Sequence, residues 1–218
     1  MNPVLISRAA SHVYPSGRTV VWPDFTLFEG QVAGFKGPSG CGKSTALHTT
    51  GGLLTLASGS LELPDLGLLR PGVAVPPLWR KKWMGWVPQR PFFWPGFSVL
   101  KNLEMTAWAK STALTPALLD LVKPLELDEL LLERADRLSL GQQQRVSLLR
   151  SMVGSPRVIL ADEPTASLDD FQAAQALKIL QNWAQETKGA VLIASHDART
   201  HSFLDDSILF HKPTTDGL

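Results

Sequence analysis

The sequence predicts an α/β domain in which a mainly parallel sheet carries a glycine-rich loop, with an antiparallel β subdomain and a helical insertion attached. Three observations lead to this fold class. Short apolar segments at residues 32–35, 158–161 and 190–194 are typical of strands buried on both faces of a sheet. Segments at residues 139–153 and 171–187 have helical spacing, and the glycine-rich loop follows the first buried strand. Strands and helices that alternate in this way favour parallel pairing.

The glycine-rich loop fits G-x-x-x-x-G-K-[ST], the pattern of a phosphate-binding P-loop, and therefore predicts a P-loop NTPase core. Its glycines let the backbone curl so that successive N–H groups point at a phosphate. We expect Lys43 to reach the β- and γ-phosphates, and the Ser44 hydroxyl to bind Mg²⁺ at the positive end of the following helix. The candidate phosphate-binding residues are Gly37, Pro38, Ser39, Gly40, Cys41, Gly42, Lys43, Ser44 and Thr45.

Before this loop, residues 4–6, 19–21 and 25–28 are predicted to form short strands of the antiparallel subdomain. Tyr14 lies in the first turn. It would either stack on a nucleotide base or be an ordinary half-buried aromatic at a strand end, and its spacing favours neither. After the loop, residues 61–63 are expected to form another strand, and residues 64–77 a surface loop rich in Pro, Gly and Leu.

Two acids follow the buried strand at residues 158–161. The side chains of adjacent residues on an extended chain point in opposite directions, so we expect Asp162 and Glu163 to have different roles. Asp162 would hold a metal ion, and Glu163 would face the attacking water as general base. Two acids on a solvated loop are the weaker interpretation, because the strand is buried and aimed at the loop.

Two further candidates have structural explanations of their own. Ser139 and Gln142 form the capping-box pattern at the start of a helix. His196 follows the strand at residues 190–194, at the sheet edge where α/β proteins bind ligands. A lone histidine in such a place is more often structural than functional.

The region between the strand predicted at residues 83–87 and the capping box is predicted to be a helical insertion. Residues 98–110 and 115–132 have leucines at helical spacing, with Pro124 interrupting or bounding the second segment. Five of the seven tryptophans fall between Trp79 and Trp108. Core packing of a small subdomain is the main interpretation, and an aromatic surface for a partner is the alternative.

Composition restricts the classes of function. The net charge of +1 gives no broad electrostatic footprint for nucleic acid, and it does not exclude a local basic patch. A single cysteine, Cys41, excludes an intrachain disulfide and favours a reducing compartment. No signal-peptide pattern and no run of roughly 18 apolar residues is present, so a membrane role would come through a partner. We expect one domain over residues 1–218, with the helical subdomain at about 90–138.

Together these stretches resemble the nucleotide-binding subunit of an ABC transporter. The loop at residues 37–45 looks like its Walker A motif, and residues 158–163 look like Walker B with a catalytic glutamate. The other matching positions are Gln89 as the Q-loop residue, residues 138–142 with Ser139, Gly141 and Gln142 as the signature motif, Asp169 in the D-loop, His196 as the switch histidine and Tyr14 as the adenine-stacking aromatic. These motifs occur in order over nearly the whole chain.

The resemblance implies an ATPase that uses Mg²⁺, held by Ser44, Asp162 and Gln89, with Glu163, His196 and Gln89 in catalysis. It also implies two such subunits closing head to tail on two ATP molecules, each ATP lying between the P-loop of one copy and the signature motif of the other. Integral membrane permease subunits would dock on the Q-loop and helical insertion, at the cytoplasmic face of the inner membrane. The early chain end and residues 160–165 are most similar to the lipoprotein-release, macrolide-export and cell-division branch.

The sequence departs from the family pattern at one position. The signature motif usually reads Leu-Ser-Gly-Gly-Gln, and Leu140 stands where the first glycine is expected. A bulky side chain would then stand near the phosphate path and slow hydrolysis or alter closure. Two alternatives differ in class: a soluble ABC ATPase acting on nucleic acid or ribosomes, and a P-loop metabolite kinase in which the other motifs would be coincidences.

Overall fold

The computed structural model describes residues 2–211. It contains two five-stranded sheets. The strands are β1 (Pro3–Val13), β2 (Thr19–Val21), β3 (Phe25–Phe28), β4 (Val32–Lys36), β5 (Ser58–Leu63), β6 (Gly67–Leu69), β7 (Met84–Val87), β8 (Val158–Asp162), β9 (Ala190–Ala194) and β10 (Asp206–Leu209). The helices are α1 (Lys43–Thr50), α2 (Pro77–Trp83), α3 (Val99–Ala109), α4 (Pro116–Leu119), α5 (Leu140–Ser151), α6 (Asp170–Thr187) and α7 (Ala198–His201).

The central sheet has the order β10-β4-β9-β8-β7, and all of its neighbouring strands are parallel. Strands β8 and β9 are buried at every position, as expected for strands covered on both faces. Because parallel strands end at the same edge, the carboxyl ends of β4, β8 and β9 bring their following loops together. That edge is where the glycine-rich loop lies.

The second sheet is antiparallel, with the order β2-β1-β5-β6 and β3 also paired with β1. The predicted fold class, a parallel core with an antiparallel β subdomain and a helical insertion, is confirmed. The first strand is longer than the prediction at residues 4–6, since β1 spans eleven residues and pairs with three neighbours.

Two apolar clusters lie on opposite faces of the central sheet. In β8, Ile159 belongs to the cluster beneath α3, α5 and α6, whereas Leu160 belongs to the cluster shared with α1 and the antiparallel sheet. This division follows from the alternation of side chains along a strand. The two clusters together hold α1 and the antiparallel sheet on one side and the helical insertion on the other.

Two predicted elements are wrong, the helix at residues 115–132 and the loop at residues 64–77, whereas the strand predicted at residues 83–87 is present and begins one residue later. The helix expected at residues 115–132 is reduced to α4 and a 3₁₀ turn at Asp128–Leu130, because Pro124 and the left-handed backbone of Glu126 (φ 52°) break the helix. Leu125 and Leu127 are still buried, so turns place these leucines in the core. The loop expected at residues 64–77 contains β6, and Trp83 ends α2 instead of beginning β7.

Within the described residues 2–211, none of the helices is long and apolar enough to cross a membrane.

Candidate active site

The glycine-rich loop connects β4 to α1 and requires glycine at two places. Gly42 has φ 108°, and a Cβ there would lie 2.3 Å from Val20 Cγ1. Gly37 has φ 156°, and a Cβ there would lie 2.5 Å from the carbonyl oxygen of Phe210. Helix α1 begins after Gly42 with no side-chain cap, so its first N–H groups stay available to a ligand. An uncapped helix start beside a tight glycine loop suits a phosphate.

Lys43 is buried, and its Nζ donates to the carbonyl oxygens of Gly37 (2.8 Å) and Pro38 (3.1 Å). Its ammonium group is therefore folded back over the loop, where it carries positive charge at the place predicted for the phosphates. Cys41 is buried in the same loop.

Ser44 and Asp162 meet between α1 and the end of β8. The Ser44 hydroxyl donates to Asp162 Oδ1 at 2.9 Å. Burial raises the pKa of Asp162, and the hydrogen bond from Ser44 partly offsets this. A hydroxyl beside one carboxylate, open to phosphate oxygens, fits Mg²⁺, which proteins bind through few carboxylates together with substrate phosphates.

His48 is a neighbour of this pair that the sequence reasoning missed. Its Nε2 lies 3.6 Å from Asp162 Oδ2, and its ring packs on Trp86 with centroids 5.0 Å apart. Burial lowers the pKa of His48, while the charge of Asp162 opposes that effect. The available signal was spacing, because His48 is four residues after Ser44 and so lies on the same face of α1.

Glu163 and Asp162 contact different residues. Glu163 Oε2 accepts from Ser195 Oγ at 2.8 Å, and Glu163 Oε1 accepts from the backbone N–H of His196 at 3.0 Å. His196 Nδ1 lies 2.6 Å from the same Oε1. Glu163 itself has a left-handed backbone, φ 47°, which turns its carboxylate from β8 toward the end of β9. The histidine that sequence reasoning treated as more often structural is thus the direct partner of the predicted base.

Several of these groups line one cavity of about 290 Å³. The predicted residues that line it are Ser39, Gly40, Gly42, Lys43, Ser44, Thr45, Gln89, Glu163 and His196. Arg18, which the sequence reasoning did not select, also lines it and donates from Nη2 to the Gly40 carbonyl oxygen at 2.9 Å. The cavity combines cationic groups, free helix N–H groups and a carboxylate, which is the chemistry needed to bind and hydrolyse a polyphosphate.

Other predicted residues lie outside this cavity. The Tyr14 hydroxyl is 2.8 Å from Thr45 Oγ1, and its ring is half-buried against His12, so it borders the loop. Gly37, Pro38 and Cys41 shape the loop without lining the cavity, and Asp162 contacts it through Ser44.

Ser139, Gly141, Gln142 and Asp169 form a second surface, at the starts of α5 and α6. The capping box of Ser139 and Gln142 is present, with bonds of 2.9 and 3.3 Å. Asp169 caps α6 by accepting from Gln172 N at 2.8 Å. A Cβ on Gly141 would lie 2.8 Å from the Ser167 carbonyl oxygen, so α5 packs closely on the segment before α6. Within one chain this surface and the cavity are separate.

Comparison with known proteins gives one family. The model of the ABC transporter family matches residues 23–166. The lipoprotein-releasing system ATP-binding protein LolD of Idiomarina loihiensis is 34% identical over 177 residues, covering 80% of this chain and 78% of that protein. LolD of Ehrlichia chaffeensis is 34% identical over 200 residues, covering 87% and 85%. The macrolide export ATP-binding/permease protein MacB 1/2 of Paracoccus denitrificans is 33% identical over 204 residues, covering 90% of this chain and 30% of that protein.

Solved structures agree. The dimeric structure of MJ0796, a bacterial ABC transporter cassette, has a TM-score of 0.81 at 25% identity and covers 95% of this chain and 94% of that chain. A post-hydrolysis dimer of the same cassette, bound to ADP and Pi, has the same score, identity and coverage. The similarity to lipoprotein-release and macrolide-export proteins matches the predicted branch, and it gives no support to the nucleic-acid alternative.

Proposed function

The chain belongs to the ABC transporter family as an ATP-binding, ATP-hydrolysing subunit, and from this premise we propose how its residues couple hydrolysis to a membrane permease. The observation that carries the proposal is the single cavity that joins Lys43, Ser44, Gln89, Glu163 and His196. These groups come from four separate segments of the chain. They meet only in the folded chain. If each motif had a structural role alone, the motifs would not need to meet in one cavity.

ATP would bind with its β- and γ-phosphates on the free N–H groups of α1, with Lys43 turning from the carbonyl oxygens it now contacts. Ser44, Asp162 and Gln89 would hold Mg²⁺, which when bound supplies positive charge to the phosphates. Glu163 would accept the proton of the attacking water. His196 would hold that carboxylate in position through its contact with Oε1.

The second surface completes the site in a dimer. In a head-to-tail pair, the starts of α5 and α6 of one copy would face the cavity of the other. The capped N-terminus of α5 then presents its dipole to the γ-phosphate, and Asp169 lies beside it. Closure on ATP and opening after hydrolysis is the motion that would drive the permease.

The permease would dock on an aromatic patch that follows Gln89. Phe92, Trp94 and Phe97 are all exposed, which is unusual for large apolar side chains on one short segment. The segment is nevertheless held in place, because Trp94 N donates to Asn102 Oδ1 at 2.8 Å and Arg150 donates to the Phe92 carbonyl oxygen. A fixed apolar patch next to Gln89 would pass movements between the cavity and the partner. Trp79, in contrast, is buried, so the tryptophans divide between core and surface.

The subunit would lie at the cytoplasmic face of the inner membrane, attached through the permease. The relatives named LolD and MacB favour a complex that releases lipoproteins or exports small molecules, with a second copy of this chain as the other ATPase.

The test is an affinity purification of the chain from detergent-solubilised membranes of its own cells, with the co-purifying proteins identified. We expect an integral membrane protein at a fixed ratio to this chain. Recovery of soluble partners or nucleic acid alone would contradict the proposal.

A substitution locates the docking surface. Trp94→Ala should reduce permease recovery at least tenfold, because truncating an aromatic anchor at an interface costs on the order of 2 kcal/mol or more. Leu68→Ala, at an exposed leucine of β6, is the matched control and should leave recovery unchanged. Equal recovery with both variants would place the permease elsewhere.

A further inference from the structure

A group of lysines at the amino end of β7 lies apart from the ATP cavity. Lys81 and Lys82 of α2 and Lys110, just after α3, line a groove of about 310 Å³ together with Leu78 and Gly154. Gln89 follows the carboxyl end of β7, so the length of that strand separates the groove from the cavity. We call this the lysine groove.

The positive charge of the lysine groove is poorly balanced. Lys110 Nζ donates to the Met84 carbonyl oxygen at 3.0 Å, and Lys81 Nζ donates to Ser111 Oγ at 2.8 Å. Among the described residues, neither ammonium has a carboxylate within 4.0 Å. Lys82 is paired only with Asp65, at 3.6 Å and with both side chains largely exposed. Three cations therefore share one acid, in a chain whose net charge is only +1.

The burial of Lys110 makes this imbalance of charge unfavourable for the stability of the folded chain. Burial lowers the pKa of Lys110 to about 8. Its stem packs on Gly154, where a Cβ would lie 3.2 Å from Lys110 Cδ. A partly buried charge without a counter-charge lowers stability, and a bound anion would relieve that cost.

Helix α2 holds the other two lysines in a fixed place. Trp79 is buried and its Nε1 donates to the Pro64 carbonyl oxygen at 2.6 Å, while Arg80 donates to the Gly52 carbonyl oxygen at 2.8 Å. With these two side chains turned inward, Leu78, Lys81 and Lys82 are presented outward.

We propose that the lysine groove binds the phosphate headgroups of anionic lipids at the membrane surface. The reason to choose a lipid over a free phosphate is Leu78, which is 76% exposed and lines the same groove. A dissolved phosphate gains nothing from an exposed leucine, whereas a membrane surface offers anionic and apolar groups side by side. The lysine groove lies one helix length from the aromatic patch, because α3 leads from that patch to Lys110 over eleven residues, or about 16 Å.

This inference rests on the proposed function only in placing the subunit at a membrane. The lipid contact would add to the permease contact, so both would act together on one subunit and raise its retention. It would leave ATP hydrolysis by the free subunit unchanged.

The experiment measures binding of the purified full chain to vesicles by flotation. One set of vesicles contains phosphatidylglycerol with phosphatidylcholine, and the other contains phosphatidylcholine alone. A lysine near an anionic surface contributes about a fivefold change in binding, so K81Q/K82Q should weaken binding to the anionic vesicles about 25-fold. K123Q/K178Q, which removes two exposed lysines elsewhere, is the control with equal net charge and should stay within about twofold of the parent.

Three results would overturn the proposal. The first is equal binding to both kinds of vesicle, and the second is equal loss in K81Q/K82Q and K123Q/K178Q, which would mean general charge attraction. The third is unchanged vesicle binding with lost permease recovery in K81Q/K82Q, which would assign the groove to an acidic surface of the permease. ATP turnover of K81Q/K82Q is measured in parallel to show that the variant is folded. If the proposed function itself were wrong, permease recovery by the parent chain would fail whatever the vesicle result.

Discussion

Leu140 is the residue at which this chain departs from the signature motif of its family. Its side chain is exposed at the start of α5, on the surface that would face the partner copy. Leu140 is the first residue of α5, is 54% exposed, and precedes Gly141, which packs on the Ser167 carbonyl oxygen. In a closed dimer its side chain would stand near the ATP bound by the partner copy, where it would slow closure and hydrolysis.

Leu140→Gly should therefore raise the ATPase rate of the assembled complex about two- to tenfold, since about 1 kcal/mol corresponds to roughly a fivefold change in rate. Leu140→Ala separates side-chain bulk from backbone freedom and should give most of the same gain. The measurement is steady-state phosphate release at saturating ATP. Unchanged or lower turnover in both variants would show that Leu140 does not obstruct closure.

Lys110 links the lysine groove to the pH dependence of stability. Its pKa of about 8 in the folded chain lies below the ordinary value near 10.4, so the unfolded chain holds the proton more strongly. The stability penalty is complete below pH 8 and disappears as the pH rises toward about 10.4.

Lys110→Met should accordingly be more stable than the parent at pH 7 by about 2 kcal/mol, which is the roughly 3 kcal/mol of the pKa shift less the hydrogen bond to the Met84 carbonyl oxygen that methionine cannot make. The difference should shrink between pH 8 and about 10.4. Denaturant unfolding at several pH values measures it. A difference that does not change with pH would mean that Lys110 is not held in a costly charged state.

Among the elements, the loop after β9 and the segment before α6 are joined by Arg199. Its guanidinium donates to the carboxylate of Asp197 at 2.8–3.0 Å, to the Leu168 carbonyl oxygen at 3.0 Å and to Asp170 Oδ1 at 2.9 Å. Hydrogen bonds from Arg199 lower the pKa of Asp197 to about 2, so the pair stays ionised at physiological pH. Because His196 directly precedes Asp197, this clamp fixes the partner of Glu163 relative to Asp169.

Arg199→Ala should lower kcat about tenfold or more with little change in KM for ATP, because a small misplacement of positioned groups affects the chemical step more than binding. Arg199→Lys keeps the charge but cannot bridge three acceptors, so it should restore only part of the rate. A raised KM with an intact kcat would instead assign Arg199 to nucleotide binding.

At the level of the whole molecule, apolar runs and glycines made the core predictable. The short apolar runs that contain Ile159 and Leu192 favoured strands covered on both faces, and Gly42 and Lys43 marked the turn into α1. The segment after residue 115 was not predictable in the same way, because its leucines suit a helix locally while Pro124 forces turns that only tertiary packing stabilises.

The contacts of the site depended on the order of the strands. Glu163 and His196 are 33 residues apart and meet because β8 and β9 are neighbours, which spacing alone does not reveal. Arg18 reaches the cavity from the turn between β1 and β2, and no motif marked it. His48 had only helical periodicity to connect it with Ser44.

In the mechanism proposed above, two copies of this chain close on ATP and Glu163 then acts as the base. Glu163→Gln keeps the size and the phosphate contacts but removes the proton acceptor, so hydrolysis should fall at least a hundredfold. The most direct measurement is the molar mass of this variant by light scattering, with and without ATP and Mg²⁺, beside Glu186→Gln on the exposed face of α6 as the control. We expect a stable dimer only for Glu163→Gln with ATP. A variant that stays monomeric at saturating ATP and hydrolyses it normally would contradict this mechanism.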